Sequence, residues 1–165
     1  MTCAIVYSSR TGNTKYLAET IKETLSNEII LYYGPLNDQA LKADRIFLGF
    51  WTNNGTCDLD TQQFIKKLTN QQIILFGTAG LGFSAQYFDT IISRTRKLFG
   101  ERVKYFASFM CQGKMPLEAR VGLQQLKNSQ PNNPKYERLL TNFDFGRTHP
   151  NKDDIKNLIS WIRKL

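Results

Sequence analysis

Ala4-Ile5-Val6-Tyr7-Ser8-Ser9-Arg10-Thr11-Gly12-Asn13-Thr14-Lys15-Tyr16-Leu17-Ala18-Glu19-Thr20-Ile21 is the stretch on which the reading of this 165-residue chain turns. Its apolar run stops at Tyr7, and a polar loop containing Gly12 follows. A helical pattern begins near Thr14, with Leu17, Ala18, Ile21 and Leu25 on one face. A strand that delivers a loop rich in hydroxyls and amides onto a helix N-terminus builds an anion site. The first backbone N–H groups of the helix have no partner there, and the helix dipole favours negative charge. No Gly-Lys-Ser/Thr follows the loop, which excludes a Walker A site, and the absence of GxGxxG excludes a dinucleotide fingerprint.

Working outward, short apolar runs alternate with amphipathic segments. Glu28–Tyr33 reads as a second strand. Arg45–Trp51 reads as a third, with the continuous apolar character of a strand covered on both faces. Asp58 to Leu68 reads as a helix, with Phe64, Ile65 and Leu68 inward. Gln72–Thr78 is the fourth strand. Ser84 to Phe99 is a long helix burying Tyr87, Phe88, Ile91, Ile92 and Leu98, and Val103–Cys111 is the fifth strand. Leu117–Leu126 is a further helix, Ser129 to Pro134 a loop, and Tyr136–Asp144 a short segment of open form. The last helix is capped by Asn151, carries Asp153 and Asp154 at its positive end, and has Ile155, Leu158, Ile159 and Ile162 as its apolar stripe. Strands alternating with helices give an α/β fold with a parallel sheet. Ligands of such sheets sit outside the carboxyl ends of the strands. The loops there are Ser8–Thr14, Trp51–Cys57, Thr78–Phe83 and Cys111–Met115, all rich in Gly, Ser, Thr, Asn or aromatic residues.

Length and composition predict one folded domain over residues 1–165. No apolar run approaches the ~20 residues of a membrane span. The N-terminal stretch lacks a signal-peptide pattern, so the expected location is cytoplasmic. Cys3, Cys57 and Cys111 are odd in number and include no CxxC pair, which argues against a disulfide framework and a zinc site. The formal charge of +8 is spread along the chain except at Arg94, Arg96, Lys97, Arg102 and Lys104. With no basic tail and no aromatic–basic alternation, a nucleic-acid groove is not expected. A solvated helix face accounts for the charge, and docking to an acidic partner is the other use for it.

The stretch Ile5–Ile21 resembles the flavodoxin signature over its whole length, with hydroxyls at Ser9 and Thr14, Gly12 between them, and Ala18 and Ile21 at the later positions. Gly49–Asp58, Phe76–Gly80, Phe109–Lys114 and His149-Pro150 followed by Asp153 and Asp154 resemble a bacterial flavodoxin-like subfamily, some members of which are associated with bilirubin-reducing enzymes. The resemblance implies a three-layer sandwich around a five-stranded parallel sheet of order 2-1-3-4-5, binding FMN. Ser9, Arg10, Thr11, Gly12, Asn13 and Thr14 would surround the phosphate, with Arg10 either pairing with it or pointing into solvent. Trp51, Thr52, Asn53, Asn54 and Gly55 would lie along the flavin ring. Trp51 would stack on the ring, reach the phosphate or ribityl chain with its indole N–H, or simply end its strand in the core. Thr78, Ala79, Gly80 and Phe83 would wrap the far edge, with Phe83 as second aromatic wall and Tyr87 as the alternative.

Cys57 and Cys111 read either as redox thiols or, more simply, as small apolar fillers. His149, the only histidine, has its best role in setting the start of the last helix, with a proton donor as the alternative. The resemblance implies an electron carrier between a reductase and an acceptor enzyme, with redox protein partners, no membrane span, and a monomeric or weakly dimeric state. The first rival is an FMN-dependent reductase or protoporphyrinogen-type dehydrogenase acting directly on a substrate, and the second a binding module that has lost its flavin. The scarcity of acidic residues near the ring loops implies a second reduction potential less negative than in an acidic flavodoxin.

Overall fold

The structure is a computed structural model that describes residues 1–82 and 84–165. In chain order the elements are β1 (Thr2–Tyr7), α1 (Asn13–Thr24), β2 (Ile29–Pro35), β3 (Arg45–Asn53), β4 (Thr56–Cys57), α2 (Leu59–Ile65), β5 (Gln72–Ala79), α3 (Ala85–Arg96), β6 (Lys104–Gln112), α4 (Leu117–Ser129), α5 (Pro134–Gly146) and α6 (Lys152–Ile162). The parallel strands are ordered β2-β1-β3-β5-β6, which is the expected 2-1-3-4-5 once the two-residue β4, antiparallel to β3, is set aside.

The alternation of side chains along the strands sends two apolar sets to opposite faces. Ala4, Val6, Ile46, Leu48, Phe50, Ile73 and Leu75 pack with Phe64 and Ile65 of α2 and Ile91 and Ile92 of α3. Cys3, Ile5, Tyr7, Phe47, Ile74 and Phe76 pack with Leu17, Ala18 and Ile21 of α1 and Leu158 and Ile162 of α6. Helices therefore cover both faces, and the central strands β1, β3 and β5 are buried along most of their length, which is why their sequences show so little polar alternation. Phe47, Phe50 and Phe76 are fully buried, each contributing about 1.5–3 kcal/mol of transfer free energy. The last two cover glycines on the neighbouring strand. Gly49 pairs with Phe76 and Phe50 with Gly77, and a Cβ at Gly49 would lie 2.3 Å from the Phe76 ring.

Several boundaries and one element differ from expectation. Tyr136–Asp144 is the body of α5, a 13-residue helix. Asn133 caps it by accepting from the Lys135 N–H, and Pro134 opens it as the first residue, where a missing N–H costs nothing. The expected loop thus ends at Asn133. Helix α2 stops at Ile65, although Leu68 is still buried, and Leu98 lies beyond α3 and is exposed. The hairpin β3–β4 turns at Asn54-Gly55, both at positive φ, the pairing that a two-residue primed turn demands. Asn151 and Asp154 form the capping box of α6.

Candidate cofactor site

The carboxyl ends of β1, β3, β5 and β6 open on one side of the sheet, and the first turn of α1 rises among them. Gly12 adopts φ +90 at the N-cap of α1, a left-handed conformation that brings the loop backbone round onto the helix axis. The Ser9 hydroxyl accepts the Lys15 N–H at 3.2 Å. Asn13 ties the loop to the far side of the site: its side-chain amide donates to the Thr11 hydroxyl at 3.1 Å and to the Lys114 carbonyl at 2.9 Å. Thr14 is buried, and its hydroxyl donates to the Phe50 carbonyl at 3.2 Å and lies 3.0 Å from the Thr78 hydroxyl. One side chain of the anion loop therefore holds the ends of β3 and β5 together. A second tie follows, from the Thr52 hydroxyl to the Thr78 carbonyl at 2.9 Å.

Between these loops lies a cavity of about 230 Å³. Arg10, Thr11 and Asn13 form one wall, Trp51, Thr52, Thr78 and Gly80 the second, and Gly113 to Pro116 with Ala119 the third. Trp51 is half-buried and faces this space rather than ending in the core, and the Arg10 guanidinium lies 5.7 Å from its ring centroid, in cation–π range. Close approach of the walls depends on glycine. A Cβ at Gly113 would sit 2.6 Å from the Asn13 amide nitrogen, and one at Gly80 would sit 2.3 Å from the Met115 side chain. Arg10 and Lys114 line the cavity, and among the described residues no carboxylate does.

The expected site residues divide accordingly. Arg10, Thr11, Asn13, Trp51, Thr52, Thr78 and Gly80 come together at the cavity. Ser9 opens on an adjoining groove with Tyr7, Ser8, Asp60 and Lys67. Gly12 and Thr14 shape the loop from behind, and Ala79 is buried, its carbonyl accepting the Gly113 N–H at 2.9 Å. Asn53, Asn54 and Gly55 form the hairpin turn beyond Thr52, where the Arg94 guanidinium donates to the Gly55 carbonyl at 3.4 Å. Phe83 lies outside the described residues. Tyr87, its alternative, is half-buried and packs at the edge of the α3 core layer.

Sequence reasoning pointed to the Cys111–Met115 loop but missed Pro116 and Ala119 of the third wall. It also missed Asn142, which with Gln112 of that loop supports the second wall. The Gln112 side-chain amide donates to the Gly80 carbonyl at 2.9 Å and to Asn142, whose Oδ1 in turn accepts the Gly82 N–H at 3.0 Å.

His149 Nδ1 lies 2.6 Å from Asp154 Oδ2, and the same carboxylate accepts the Asn151 N–H, so the histidine does help set the start of α6. All three cysteines are buried and free. Burial pushes the Cys57 thiol up to about 11 and raises that of Cys111 as well, the reverse of the shift that activates a thiolate.

A βα anion loop at the carboxyl edge of a doubly covered parallel sheet, facing an indole and a glycine-rich third loop, is the architecture of a mononucleotide-binding protein. The chain belongs to the flavodoxin domain family, whose profile matches residues 4–163, and FMN is that family's cofactor. The chain is 36% identical to the flavodoxin-like domain-containing protein BilS of Clostridium symbiosum over 94% of its own length and 90% of that protein's. It is 30% identical to the protein of the same name from Clostridioides difficile, with the same coverage. Solved structures agree in fold. A short-chain flavodoxin associated with a non-canonical PDU bacterial microcompartment superposes with a TM-score of 0.62 at 16% identity, covering all of this chain and 96% of the other. A flavodoxin from the domain Archaea gives 0.58 at 16% identity, covering 99% and 95%.

The donors at the site fit FMN. Cations, hydroxyls and helix-start N–H groups suit a phosphate monoester, and Trp51 and Met115 offer the apolar and polarisable surfaces that a flat ring prefers.

Proposed function

We propose that this chain carries electrons between a reductase and an acceptor enzyme on one noncovalently held FMN, as a single domain over residues 1–165 in the cytoplasm. The observation that carries the reading is the convergence of the anion loop, Trp51–Thr52, Thr78–Gly80 and the loop after β6 on one cavity that holds two cations. Backbone N–H groups from Arg10 to Thr14, with the hydroxyls of Ser9 and Thr11, serve the phosphate. Gly12 supplies the turn, Asn13 locks it, and Thr14 gives its N–H while its hydroxyl braces the strands. Trp51 and Thr52 flank the ring, with Asn53, Asn54 and Gly55 at its outer side. Thr78, Ala79 and Gly80 close its far edge. Bound FMN supplies the redox chemistry, and the protein positions it and sets its electrostatics. A cavity of about 230 Å³ encloses only part of a mononucleotide, which leaves an edge within reach of a docked protein.

The charge of +8 favours partners with acidic docking surfaces, met by a monomer or weak dimer. The subfamily resemblance and the likeness to two BilS proteins support bilirubin or another tetrapyrrole as the final acceptor's substrate. One observation favours the rival reading of a reductase or dehydrogenase acting directly: α4 buries no residue, packs on α5, and its first turn borders the cavity, as a substrate-contacting flap would. Anaerobic mixing of the FMN-loaded protein with NAD(P)H separates the two. A carrier is reduced fast only when a flavodoxin reductase is added. Fast reduction by NAD(P)H alone, or direct turnover of a tetrapyrrole, would refute the carrier reading.

A further inference from the structure

Gln112 ends β6 with its side chain buried where an apolar residue would be the easier occupant. A carboxamide there is costly unless satisfied, and the two hydrogens of its amide nitrogen have three acceptors within reach. It lies 2.9 Å from the Gly80 carbonyl, 3.1 Å from the Asn142 carbonyl and 3.0 Å from Asn142 Oδ1. Asn142 Oδ1 also accepts the Gly82 N–H at 3.0 Å. Glycines make the room: a Cβ at Gly146 would lie 2.5 Å from the Gln112 amide nitrogen, and one at Gly82 would lie 2.5 Å from its amide oxygen.

The loop so gripped is Gly80-Leu81-Gly82, whose two glycines would otherwise leave its backbone free to take many shapes. Gly80 lines the cavity. The grip comes from the end of β6 and from α5, a helix that is itself tied to α4 by the Arg120–Asp144 fork at 2.8 and 3.0 Å.

We infer that Gln112 and Asn142 are positioning residues, which fix the Gly80–Gly82 backbone against the cofactor and so make α5 a determinant of FMN affinity and reduction potential. The inference rests on the reading that this cavity holds FMN. Asn142 takes the Gly82 N–H for the protein, so the ligand meets a loop with that donor already spent. Neither side chain lines the cavity, and both act through the backbone they hold.

The test compares Asn142→Ala and Gln112→Met with Arg120→Ala, which cuts the α4–α5 fork without touching the loop. Each apoprotein is titrated with FMN by flavin fluorescence, its potentials are measured, and its thermal midpoint is recorded. Asn142→Ala and Gln112→Met should each weaken FMN binding about ten-fold and move the potentials, as losing a buried hydrogen-bond partner predicts. Arg120→Ala, at an exposed ion pair, should leave affinity within about two-fold of the parent.

Parent-like affinity and potentials in both loop variants overturn the inference, as does an Arg120→Ala that reproduces their loss. Should Gln112→Met fail to fold, Asn142→Ala decides, because alanine suits a helix interior. A parent that takes up no FMN sinks the cofactor reading and this inference together. A parent that binds it while the variants bind equally sinks the inference alone.

Discussion

Thr14→Val separates what the anion loop does for the fold from what it does for a ligand. The Thr14 hydroxyl is buried, donates to the Phe50 carbonyl and meets the Thr78 hydroxyl at 3.0 Å. Valine keeps the volume, so no cavity term enters. What is lost is one neutral hydrogen bond, about 1 kcal/mol, and the Thr78 hydroxyl is stranded in a buried place for about 1 kcal/mol more. The expected cost is about 2 kcal/mol, or about 4–8 °C in the thermal midpoint for a protein of this size. Thermal unfolding of the apoprotein by circular dichroism measures it. The double variant Thr14→Val/Thr78→Val should cost less than the sum of the singles, because neither hydroxyl is then left without the other. An apoprotein whose midpoint is unchanged by Thr14→Val, while FMN affinity falls ten-fold or more, would refute the reasoning; the hydroxyl would then serve the phosphate rather than the strands.

Three further outcomes follow from the same geometry. Gly49→Ala places a Cβ 2.3 Å from the buried Phe76 ring and should destabilise by about 1–3 kcal/mol in denaturant titrations; a silent substitution would mean that the ring gives way freely. Cys57 has its thiol raised from the ordinary 9.0 to about 11, so its contribution to stability is intact below pH 9 and is lost as pH climbs towards 11, where only the unfolded chain ionises readily. Native protein should accordingly resist thiol reagents at pH 8 at all three cysteines and react fully once unfolded, and a fast-reacting native thiol would revive the redox reading. With Arg10 and Lys114 at the cavity, the second reduction potential should be less negative than in an acidic flavodoxin, and Arg10→Glu should push it lower; an equally low parent value in potentiometry would contradict the charge argument.

Much of the fold was legible because its signals are local. The central strands announce themselves as continuous apolar runs, since both faces are covered, and the Asn151 capping box marks α6 within four residues. Two local signals were present and passed over. Asn54-Gly55 between Thr52-Asn53 and Thr56-Cys57 spells a two-residue hairpin, and Asn133-Pro134 with Glu137 in the first turn spells the start of α5. Helical phase also held a clue to Thr14, which falls in register with Leu17, Ala18 and Ile21 and so had to face the sheet. The Gln112–Asn142 contact had no such signature. Gln112 and Asn142 stand 30 residues apart in the chain, and only the packing of α5 against the end of β6 brings them together.

Everything at the site turns on the ligand of the cavity. Titrating the apoprotein with FMN while following flavin fluorescence, with riboflavin as the control lacking phosphate, tests it most directly. Saturable one-to-one quenching by FMN, much weaker for riboflavin because the Ser9–Thr14 loop then has no phosphate to hold, is the predicted result. No uptake of FMN, or equal affinity for riboflavin, would contradict it.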